Sequence, residues 1–95
     1  MKKYDTPAIR RLARQLESIA EKLSVTERDA CKHISGISDD MLGDTPKAID
    51  TATGRLSSEL QAIRSGLTRN AASLYQYARE LDIADAKAQN MIKQN

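Results

Sequence analysis

The sequence predicts an all-α protein: an antiparallel two-helix hairpin, assembling into a four-helix bundle. Apolar residues recur in steps of three and four along almost the whole chain, the period of one helical face. The helix breakers are concentrated in a single place, since residues 36–46 hold two of the four Gly and one of the two Pro. A Thr-Pro pair heads each periodic stretch, at Thr6-Pro7 and again at Thr45-Pro46.

The first helix is expected from about residue 7 to about residue 35. Its stripe runs Ile9, Leu12, Leu16, Ile19 and Leu23 and continues through Ala30, Ile34 and Ile37, with Ala13, Ala20 and Cys31 widening one side. Thr6 suits the cap, where a side-chain oxygen accepts from free amides, and Pro7 suits the first turn, where no amide bond is lost. A turn is expected over about 36–45, where Gly36 or Gly43 can take a positive φ. The second helix is expected over about 46–91. Its stripe passes through Ile49, Ala52, Leu56, Leu60, Ile63, Leu67, Ala71, Leu74, Ala78, Leu81, Ala84, Ala88 and Met91, with a frayed polar tail beyond. Gly54 and Gly66 each cost about 1 kcal/mol against Ala inside a helix, which marks soft places.

Size limits what such a hairpin can do alone. A compact protein of 10.5 kDa exposes about 5,400 Å² against about 15,000 Å² unfolded, so its core is marginal without a partner. The chain has three Tyr, no Trp and no Phe, which leaves Leu, Ile and Ala to fill the interior. Those side chains carry no polar tip for chemistry. Two helices bury one seam each and leave flanking apolar positions wet, which predicts association, with Leu12, Leu16, Ile19, Leu56, Ile63 and Leu74 at the partner interface.

Charge and reactive residues exclude several functions. Fifteen Lys+Arg against thirteen Asp+Glu leave a net charge of +2, too little to imply nucleic acid or a membrane surface. Arg10, Arg11 and Arg14 form a local basic cluster without interleaved aromatics, read as a solvated face or a protein-recognition patch. His33 is the one histidine and lies about 200° around a helix from Cys31, so no thiolate-imidazole pair forms locally. No ligand set for a metal is expected, the Asp39-Asp40 pair lacks a calcium-loop ladder, and no Gly-rich phosphate loop is present. The reading is therefore a non-enzymatic protein without catalytic residues, metal or cofactor. No membrane span is expected, and Arg10, Arg11 and Arg14 interrupt what would be the apolar run of a signal peptide.

The architecture and the turn together resemble the WXG superfamily, small helical hairpins of type VII secretion with Trp-x-Gly at the turn. Gly43 fits the motif glycine, Met41 occupies the Trp position, and Ala48-Ile49 fit the small-then-apolar pair that follows. Met at that position keeps apolar bulk and loses the indole. The family's second mark is a Tyr-xxx-Asp/Glu export signal late in helix 2. Tyr75 is followed four residues on by Arg79 and Tyr77 by Leu81, so neither fits, whereas Leu81 and Asp85 fit the spacing with Leu replacing the aromatic. Both departures resemble the divergent branch that accompanies LXG-type toxins. That resemblance implies binding to the toxin's N-terminal helices, help in targeting it for export, and a cytoplasmic stage before secretion by a route independent of a signal peptide. Two other readings stand beside it: an autonomous secreted homodimer of the same superfamily, and a cytoplasmic coiled-coil adaptor with no export role.

Overall fold

The computed structural model describes residues 5–39, Gly43 and residues 45–94. It consists of two helices, α1 (Thr6–Asp39, 34 residues) and α2 (Thr45–Gln94, 50 residues), packed on each other as the expected all-α hairpin. The molecule is a rod, with extents of 81 × 15 × 13 Å.

Both helices outrun the sequence expectation. α1 continues through Gly36 to Asp39, and α2 continues past Met91 to Gln94, so the frayed tail expected after Met91 is helical instead. One Gly costs too little to end a helix held by its neighbours on both sides. The cap is also corrected. Asp5, not Thr6, caps α1: the Ala8 amide donates to Asp5 Oδ1 at 3.0 Å, and the Ile9 amide makes the first helical bond, to the Asp5 carbonyl, at 3.1 Å. Carboxylate oxygens are among the best acceptors at this position and also suit the positive end of the helix dipole. Thr6 falls inside the first turn and is buried instead.

At the turn, Gly43 has φ +84°, the left-handed region expected of a hairpin glycine. A Cβ added there would meet nothing within 4 Å, so conformation and not space accounts for the residue. Met41, the other half of the turn motif, lies outside the described residues.

Among the described residues, four interhelical side-chain bonds fix the register. Arg10 meets Asp82, Glu17 meets Tyr75, Glu27 meets Arg64 and Cys31 meets Ser57, α2 counting down as α1 counts up. A heptad away from Glu27 and Arg64, Ala20 lies level with Ala71, and a further heptad places Ala13 level with Ala78. These four alanines are the buried apolar core among the described residues. Methyl side chains at the seam let the helices pack closely and turn the larger side chains out to the flanks. Helical periodicity located the stripe but not this subdivision of it.

Candidate interaction face

The seam divides the hairpin surface into two unlike sides. Successive residues lie about 100° apart around a helix, so Leu16 and Leu23 fall about 60°, and Leu12 and Ile19 about 100°, to one side of Ala13 and Ala20. On α2, Leu60, Leu67 and Leu74 stand about 40° from Arg64, Ala71 and Ala78 in the same sense, and Leu56, Ile63 and Tyr77 about 80° to 100°. Because the helices are antiparallel, a step in the same sense from the seam ends on the same side of the plane that holds both axes. One side of the hairpin is therefore lined by leucine and isoleucine from both helices. Leu16, Leu23, Leu60, Leu67 and Leu74 are half-buried at the edge of the seam, while Leu12, Ile19, Leu56, Ile63 and Tyr77 are exposed.

The opposite side is polar and tied across. Arg10 Nη2 reaches Asp82 Oδ2 at 2.7 Å, and the Tyr75 hydroxyl donates to Glu17 Oε1 at 2.6 Å. The bond to Glu17 raises the Tyr75 pKa above 10.0, with partial desolvation and the Glu17 charge acting the same way and Arg14 opposing. Cys31 Sγ and Ser57 Oγ share a hydrogen bond at 3.5 Å nearer the turn. Within the seam itself, Arg64 Nη1 donates to Glu27 Oε1 at 2.6 Å, with about a fifth of each side chain still exposed (22% and 21%).

The six residues expected at a partner interface are thus placed together. Leu12, Ile19, Leu56 and Ile63 stand exposed on the leucine side, and Leu16 and Leu74 lie half-buried beneath them. The export-signal candidates lie elsewhere. Leu81 and Asp85 are half-buried along the seam at the end remote from the turn, where the register sets Asp85 level with Thr6 at the start of α1. No hydrogen bond or ion pair joins Asp85 to another described residue. His33 is exposed while Cys31 faces α2, as their separation around the helix requires.

The polar ties were missed at the sequence level because each needs the register. One signal was available: Glu27 and Arg64 are opposite charges standing one heptad from Ala20 and Ala71. Among the described residues, no group of three His, Cys, Asp or Glu side chains is placed to hold a metal ion. Two shallow hollows, one along Gln61, Arg64, Ser65, Thr68 and Arg69 and one along Ser18, Glu21, Lys22, Val25 and Thr26, each belong to a single helix and lie open to solvent. No helix among the described residues is long and apolar enough to cross a membrane. Comparison with protein-family models, with curated proteins and with solved structures finds no match.

Proposed function

We propose that this chain is a non-enzymatic, WXG-like helical hairpin of type VII secretion that binds the helical N-terminal region of an LXG-type toxin and helps target it for export. The observation that carries the reading is the leucine-lined side of the hairpin, built from both helices and left open while the other side is closed by polar ties. Gly43 at the turn, with its positive φ, supports the resemblance that supplies the partner class.

The face has the dimensions of a partner surface. α1 is about 51 Å long at 1.5 Å per residue. With a width of 15 Å, the footprint is about 750 Å², close to the roughly 800 Å² that each partner contributes to a standard interface. A pair of amphipathic helices laid on it completes a four-helix bundle and covers the exposed Leu12, Ile19, Leu56 and Ile63. A second copy of the chain presents an equivalent face, which keeps the homodimer as the competing outcome.

Co-expression with the N-terminal helical region of an LXG-type toxin, followed by light scattering on the purified complex, tests the proposal. A stable complex of defined stoichiometry that Ile63→Glu disrupts is the expected result. A homodimer indifferent to the toxin region favours the autonomous reading, and a folded monomer that ignores both removes the interaction face from consideration.

A further inference from the structure

The seam is not uniform along the rod. Every buried residue among those described, Thr6, Ala13, Ala20, Ala71 and Ala78, lies beyond the Glu27–Arg64 pair on the side remote from the turn. On the turn side Ala30, Ile34, Ile49, Thr53 and Leu60 are only half-buried, and Cys31 and Ser57 share a hydrogen bond. The helices are also locally weaker there. The Thr51 and Thr53 hydroxyls donate back to the carbonyls of Lys47 and Ile49, a local bond that slightly destabilises a helix interior. Gly36 and Gly54 are helical positions where an added Cβ would meet nothing within 4 Å, so no close approach offsets their poor helix propensity.

We propose that the hairpin carries a built-in opening arm: the turn-side segments, residues 28–39 and 45–63, melt together in the native protein while the alanine-lined half stays closed, and the Glu27–Arg64 pair marks the boundary. The free energy of local opening follows buried contact and helix quality; full burial ends at this pair, and Gly36, Gly54 and both threonine back-bonds lie on the turn side of it, with Gly66 the helical glycine on the other. Melting there enlarges the connection between two closed segments without parting them, and the entropy of a longer loop changes only logarithmically with its length. The boundary pair preserves alignment. A glutamate that meets an arginine between the Ala20–Ala71 layer and the Ile34–Ser57 layer is satisfied in one register only, so the arm recloses in the correct one. The result is a segment that a partner can order on contact, whatever the identity of that partner.

The test uses the full chain and amide hydrogen exchange read segment by segment. Exchange is expected to be at least ~100-fold faster over residues 46–60 than over residues 68–82. Gly54→Ala, which fills open space inside the arm, slows exchange over residues 46–60 several-fold, whereas Asp5→Ala at the closed end leaves it unchanged. Exchange rates within about threefold of each other in the two halves would overturn the proposal. So would exchange over residues 46–60 that responds to Asp5→Ala and ignores Gly54→Ala.

Discussion

Asp5 shows how much one side chain can decide. Its carboxylate holds the Ala8 amide while its carbonyl starts the helical ladder, so Asp5→Ala is expected to cost about 1 kcal/mol, measured by thermal or urea unfolding. Thr6→Ala tests the alternative assignment and should not reproduce that loss through capping. The sequence contains both candidates side by side, and the distinction was not legible because it depends on Thr6 packing into the seam, a tertiary fact. Tyr75 gives a second residue-scale test. Its folded pKa lies above 10.0 because Glu17 accepts the hydrogen bond of its protonated hydroxyl, so the linked stability is present below pH 10 and is lost as pH rises through the folded pKa. Glu17→Ala should bring the Tyr75 ionisation down toward pH 10, followed by NMR of the ring resonances. A Tyr75 titration that ignores Glu17→Ala would show that the 2.6 Å bond is not held in solution.

At the scale of the helix pair, the Arg10–Asp82 and Glu27–Arg64 ion pairs differ in kind. Arg10 and Asp82 retain 35% and 38% of their side-chain exposure, so breaking that pair should cost about 0 to 1 kcal/mol. Glu27 and Arg64 sit in the seam, and Arg64→Leu alone leaves the mostly covered Glu27 carboxylate without its partner. That single change is expected to cost about 2 kcal/mol, below the 3 to 5 of a fully buried pair, and Glu27→Leu with Arg64→Leu should recover most of it in a double-mutant cycle. Additive losses would mean the pair is not coupled. The helices, their antiparallel order and the glycine turn were all legible, since periodicity, Thr-Pro starts and a breaker cluster are local signals. The division of the stripe was not. Periodicity gives the centre of an apolar face, but whether alanine or leucine occupies the closest approach depends on how near the helices come, and on register. Leu12 and Ile19 therefore stand outside a seam whose centre is alanine, and Leu81 and Asp85 lie along it instead of projecting freely.

The whole molecule is open for its size. Its surface is 7467 Å², against the about 5,400 Å² of a compact protein of this mass, so the hairpin buries only about half of what the unfolded chain exposes. So thin a core leaves large apolar side chains exposed, and a substitution among them tests association apart from folding. Ile63 is 52% exposed, so Ile63→Glu should leave helix content and the melting transition of the isolated hairpin nearly unchanged while abolishing association in sedimentation equilibrium. Leu16→Glu, half-buried at the seam, should damage both, and Arg11→Ala neither. Equal effects of Ile63→Glu and Arg11→Ala on association would remove the leucine side as the contact surface. The rod shape has a practical corollary for any such measurement. A radius of gyration of 22.2 Å compares with about 12 Å for a compact chain of this length and is the value of a globule of roughly 400 residues. On a gel-filtration column calibrated with globular standards a single hairpin will elute early, in the range of an oligomer, so retention volume will report elongation where it is taken to report copy number.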